Sequence, residues 1–99
     1  MKLRFAPLAG DDIEAADRWW VENRPAAPTL FEDELATALE LLEAYPLAGS
    51  RVDGLAATLG EVRRIVLGAT RFLLFYRVRD ETVEVLRVYQ SSRGDRPQF

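Results

Sequence analysis

The sequence predicts an α+β fold: a short N-terminal strand, an α-helical hairpin, then a three-stranded antiparallel meander that joins the first strand in one small sheet. Three observations predict it. Residues 61–97 contain three strand-length runs of β-branched, aromatic and aliphatic residues: Val62, Ile65, Val66 and Leu67; Phe72, Leu74, Tyr76 and Val78; Val83, Val85, Leu86 and Val88. Two turn signals divide these runs, Gly68-Ala69-Thr70 with a residue free to take positive φ and the short polar break Asp80-Glu81. Upstream, apolar residues recur at helical spacing in two segments bounded by prolines.

In chain order, Leu3 and Phe5 alternate with Lys2 and Arg4, which reads as a first strand ended by Pro7. Asp11 followed by Glu14 resembles a capping box and predicts a helix starting near Asp11. Ile13, Ala16 and Trp20 form its stripe, and it ends by Arg24, because Pro25 disfavours helical geometry in the residue before it. Thr29 and Glu32 form a second capping-box candidate. Phe31, Leu35, Ala38, Leu42 and Tyr45 then carry a longer helix to Pro46, its apolar face widened by Leu39 and Leu41. Residues 47–60, with Gly49, Gly54 and Gly60, read as a loop crossing to the sheet. Within the strand of Phe72, Leu74, Tyr76 and Val78, those residues share a core face. Arg71, Arg77 and Arg79 share the other with Leu73 and Phe75, so that face is expected to be half polar and cationic.

Ninety-nine residues fit one compact domain over 1–99. Hydrophobic residues at 48% and charged ones at 29% are globular values, and no apolar run approaches the roughly 18 to 20 residues of a membrane span. Lys2 and Arg4 are not followed by an apolar signal-peptide segment, and there is no cysteine, so a cytoplasmic home is expected. Without cysteine or histidine the chain lacks thiolate metal sites and the usual general base. Asp11, Asp12, Glu14 and Asp17 cluster in the first helix, but acids at a helix start are ordinary macrodipole behaviour, so no metal and no cofactor are expected. Residues 1–50 hold 4 basic and 10 acidic side chains, residues 51–99 hold 9 and 6; the sheet half is the cationic half. A net charge of −3 with a single lysine fits poorly with binding a nucleic-acid backbone, so direct DNA binding without a partner is not expected.

The order Val62-Arg63, Phe75-Tyr76-Arg77 and Ser91-Ser92-Arg93 to Pro97, together with the N-terminal half and Pro46-x-x-Gly49, resembles the RelE/ParE toxin superfamily of bacterial type II toxin-antitoxin systems. The resemblance lies nearer the ParE branch and implies a toxin that poisons DNA gyrase by protein contact, neutralised by a cognate antitoxin encoded nearby, with growth inhibition and plasmid stabilisation as its outward effects. An alternative is the RelE-like branch, ribosome-dependent messenger-RNA endonucleases; another is a non-toxic relative that only binds its antitoxin. For a nuclease, Arg63, Arg64, Arg71 and Arg87 are the phosphate-clamp candidates, with Glu61 and Tyr89 the nearby groups able to move protons. Gln90 stands where some nuclease relatives have a histidine. The lysine pair of others is absent from the strand starting at Val62, and so is the C-terminal helix with its catalytic tyrosine. For each arginine the plainer reading is a solvated or salt-bridged strand-face residue.

For a partner-binding protein the candidates are Trp19, Trp20, Arg71, Arg87 and Arg93. Neighbouring helical residues point about 100° apart, so one of the two tryptophans is expected at the edge of the apolar stripe. Both fit a buried seam; one also fits an antitoxin groove, with acidic residues of the antitoxin meeting Arg71 or Arg87.

Overall fold

The computed structural model describes residues 1–53 and 59–90. Its elements are β1 (Lys2–Phe5), α1 (Pro7–Asn23), α2 (Leu30–Ala44), β2 (Ser50–Arg51), β3 (Val62–Leu67), β4 (Phe72–Arg79) and β5 (Thr82–Gln90). They form one five-stranded sheet in the order β1-β5-β4-β3-β2. The meander β3-β4-β5 is antiparallel throughout, and β1 closes it by running parallel to β5, Lys2 opposite Thr82 and Phe5 opposite Val85. The α+β class and the order strand, helix, helix, meander are as the sequence predicts. The two-residue β2, antiparallel to β3, falls inside the segment read as a loop.

Helix α1 starts at Pro7, not near Asp11. Proline suits the first helical turn, where its missing N–H has no intrahelical acceptor to lose and its φ is already helical. The Asp11/Glu14 pair therefore lies inside the helix and caps nothing. The far end agrees with expectation: α1 stops at Asn23, and the Arg24 N–H donates to the Trp20 carbonyl at 2.8 Å. At α2, Thr29 is the N-cap, but its hydroxyl donates to Asp33 at 3.1 Å instead of accepting from the backbone, so the capping box is not formed.

The main core lies between the helices and one face of the sheet. Ala9, Ala16 and Trp20 of α1 and Phe31, Leu35, Ala38 and Leu42 of α2 pack on Leu67, Phe72, Leu74, Tyr76, Val83, Val85 and Val88. Phe31 and Phe72 meet at 4.8 Å between ring centroids. Two residues assigned to the apolar face of the second helix are instead exposed, Tyr45 at 67% and Leu41 at 40%. Tyr45 follows the last helical residue with non-helical φ and ψ, which turns its ring away from the stripe.

The second sheet face is less polar than predicted. Val62, Phe75 and Leu86 form a smaller buried cluster there with Ala6, Val52, Leu59, Leu73 and Tyr89 packed against it. Strand β5 contributes Leu86 to it, at a β-bulge: Phe75 faces Arg87 while Tyr76 faces Val85, leaving Leu86 as an extra residue in β5. The bulge resets the alternation beyond Leu86, so Val88 reaches the helix-side core with Val83 and Val85 and Arg87 stands opposite Phe75.

The turns also differ in detail. In the β3–β4 turn the positive φ belongs to Arg71 (67°), so Arg71 sits in the turn and not on the strand face assigned to it. Between β4 and β5, Asp80 (φ 51°) and Glu81 (φ 59°) form the two-residue primed turn that matches strand twist, although neither is glycine.

Candidate partner-binding groove

The bulge and the start of α1 together build the most distinctive polar contact of the molecule. Strand β1 pairs with β5 only as far as Val85, so the backbone of β5 beyond it would present an open edge. Asp12, in the second turn of α1, covers that edge. Its carboxylate accepts from the Val88 N–H at 2.9 Å and from the Arg87 guanidinium at 2.7 Å (Nε) and 3.0 Å (Nη2). The Asp12 and Arg87 side chains are 16% and 15% exposed, so the fork is largely withdrawn from water, where two-point arginine–carboxylate geometry is strongest. The hydrogen bond to Asp12 pushes the Arg87 pKa up against the opposing effect of burial, which keeps the cation locked on. Arg87 also lies over the Tyr89 ring at 4.6 Å, and Tyr89 meets Phe75 edge to face at 6.3 Å.

Beside this fork lies a groove of about 180 Å³. Asp12, Ala15, Ala16 and Trp19 of α1 form one wall; Phe72, Val88, Tyr89 and Gln90 form the other. Two alanines on α1 keep the helix wall low, and Trp19 closes one side. The adjacent tryptophans divide as their angular separation requires. Trp20 is 7% exposed, and its indole N–H donates to the Ala27 carbonyl at 2.7 Å, fixing the α1–α2 connection. Trp19 is half-buried at the groove, 6.2 Å from Trp20, and Arg24 caps both rings at 5.5 and 6.0 Å.

The other candidates are dispersed. Arg71 is exposed in the β3–β4 turn, next to Phe72, whose ring lines the groove. Arg63 is held at the opposite side of the sheet by the carbonyls of Gly49 (2.8 Å) and Leu47 (3.3 Å) and by Glu61 (3.4 Å). Arg64 is exposed, directly opposite Phe75 on the neighbouring strand and two strands from Arg87. Arg93 lies outside the described residues, as do Ser91, Ser92 and Pro97. The structure thus brings Trp19, Arg87 and Tyr89 together and places Arg71 near them, while Trp20 belongs to the core and Arg63 to a loop anchor. Asp12 is the residue that reading the sequence missed as part of this site. Its signal was present: Val85-Leu86 breaks the apolar alternation of β5 and marks the bulge that brings Arg87 to the edge.

Among the described residues no group of His, Cys, Asp and Glu is arranged to hold a metal ion, and no helix is long and apolar enough to cross a membrane.

A sheet flanked by two consecutive helices is the arrangement expected from the RelE/ParE resemblance. Residues 3–94 match the family described as ParE toxin of type II toxin-antitoxin system, parDE, and the chain belongs to that family. A solved structure described as the chromosomal ParDE TA system from P. aeruginosa shares this fold, with a TM-score of 0.71 over 91% of this chain and 95% of that chain at 19% identity. No curated protein matches the sequence.

Proposed function

We propose that this type II toxin acts by protein contact on DNA gyrase and is held inactive by a cognate antitoxin whose apolar side chains enter the groove beside Trp19. The observation that carries the reading is the Asp12–Arg87 fork. Arg87, which lies over the groove-lining Tyr89, is already held by a carboxylate at two points, which suits a wall for protein packing better than a clamp for a reacting phosphate. The nuclease candidates Arg63 and Arg87 are held by different partners on separate strands, and the chain has no histidine to move protons between them. Membership of the ParE family supports the same choice.

Two assays on purified protein and one in cells test the target. Gyrase incubated with supercoiled plasmid and the toxin is expected to accumulate cleaved or unresolved DNA, and translating ribosomes are expected to show no cuts in the message. Induced expression without antitoxin is expected to stop growth. Cuts at the A site, abolished by changing Arg71 or Tyr89, would establish the nuclease alternative instead; unimpaired growth with accumulated protein would favour a relative that only binds antitoxin.

For the antitoxin, Trp19→Ala is the informative change, because Trp20→Ala would also empty the core. Loss of an aromatic anchor from an interface typically costs about 2 kcal/mol or more, roughly a thirtyfold weaker complex by titration calorimetry. Unchanged affinity would remove the groove from the interface.

A further inference from the structure

At the end of the sheet bearing the Asp80-Glu81 turn, three strands assemble a charged ladder that neither the core nor the groove uses. One row runs Arg4–Glu84–Arg77 across β1, β5 and β4; the next runs Lys2–Thr82–Arg79. Residues two apart on a strand share a face, so all six side chains rise from the same side. The two rows carry four cations and one acid, on a chain whose net charge is −3.

Glu84 organises the patch and is used up in doing so. It accepts from Arg77 Nε at 2.7 Å and lies 3.7 Å from Arg4 Nε, while Arg77 also donates to the Leu59 carbonyl at 3.2 Å. Arg77 and Glu84 are 16% and 14% exposed, whereas Arg4 is 73% exposed. Lys2 and Arg79 are exposed as well, and neither forms a salt bridge among the described residues, although Asp80 and Glu81 stand at the patch margin. Arg4, Arg77, Arg79, Asp80, Thr82 and Glu84 border a depression of about 410 Å³.

We propose that this ladder is a docking surface for an acidic segment of a partner protein, independently of the groove and of the target proposed above. Charge complementarity names the occupant. Lys2, Arg4 and Arg79 present three accessible cations, with rows roughly 6.6 Å apart along the strands, the repeat of alternate side chains in an extended peptide. Carboxylates spaced that way meet Lys2 and Arg4 directly. A nucleic acid fits less well, because its backbone carries charge continuously past the two rows onto Asp80 and Glu81 at their margin, whereas a short acidic segment can end within them.

The test uses the full chain and two fluorescent probes of similar charge at low ionic strength, hexaglutamate and hexathymidylate, read by anisotropy. Hexaglutamate is expected to bind, to be released by salt, and to bind about tenfold or more weakly to the double variant Arg4→Gln/Arg79→Gln. The variant Arg18→Gln/Arg51→Gln, which has the same net charge but leaves the ladder intact, is expected to keep the wild-type affinity. Thermal melts of both variants establish that they fold, as expected for exposed side chains. Absence of hexaglutamate binding, equal loss in the two variants, or tighter binding of hexathymidylate than of hexaglutamate would each overturn the proposal.

Discussion

Asp12 concentrates three hydrogen bonds on one carboxylate, from two kinds of group: a strand-edge N–H and two nitrogens of one guanidinium. Removing it takes a two-point carboxylate partner from Arg87 and reopens the edge of β5, and both groups are mostly withdrawn from water. Asp12→Ala is therefore expected to destabilise the protein by about 2 to 4 kcal/mol in urea unfolding. Asp12→Asn, which keeps an acceptor for Val88, is expected to lose about half as much; a loss below about 0.5 kcal/mol for the alanine variant would mean that the fork contributes little. Gly49 shows the same local logic in backbone form. Its N–H donates to the buried Tyr76 hydroxyl at 2.8 Å, and a Cβ there would stand 2.7 Å from that oxygen and 2.8 Å from the Arg64 carbonyl, so only glycine fits beneath the tyrosine. Burial, opposed by the Gly49 hydrogen bond, raises the Tyr76 pKa, so the hydroxyl stays protonated.

Helix α2 is tied to the sheet by Glu34, which reaches from the edge of its buried face to the β3–β4 turn. The carboxylate accepts from the Ala69 N–H (2.7 Å), the Thr70 N–H (3.0 Å) and the Thr70 hydroxyl (2.6 Å). Partial burial raises its pKa, but these hydrogen bonds outweigh that effect and the net direction is down. A carboxylate whose folded pKa lies below its unfolded one contributes stability above the unfolded value and loses it as pH falls through the folded value. Stability is therefore expected to decline on acidification below the ordinary glutamate range, and Glu34→Gln is expected to flatten that decline while costing about 1 kcal/mol at neutral pH. Parallel denaturation curves at neutral and acidic pH measure both effects; an unchanged acid slope in the variant would show that Glu34 does not carry it. The turn Glu34 holds was legible as a turn from Gly68-Ala69-Thr70, but not its geometry. The left-handed residue is Arg71, whose N–H closes the turn on the Leu67 carbonyl at 2.8 Å. A glycine in the neighbourhood signals a permitted bend; which residue takes the strained conformation depends on how the strands register.

At the scale of the molecule, the uneven charge of the sequence becomes a division of surfaces. A neutralised arginine flanks the apolar groove at the C-terminal end of β5, and accessible cations gather at the opposite end of that strand. The α+β class, the meander, the end of α1 ahead of Pro25 and the buried positions Phe31, Leu35, Ala38 and Leu42 of α2 all follow from periodicity and prolines, because these signals act within one element and need no partner to be read. The ParE resemblance was legible for a similar reason, being a matter of order and spacing along the chain. What only the tertiary structure decided is everything that joins distant residues. The parallel pairing of β1 with β5, the bulge at Leu86 that sends Arg87 to the edge, the grip of Asp12 on that edge, and the separation of Trp19 from Trp20 each depend on contacts across 7 to 80 positions of sequence. Local pattern specifies which face of an element is apolar. Which charges meet across the sheet is set by register and by the helix laid along its open edge, and the energy of those contacts exists only once both are in place.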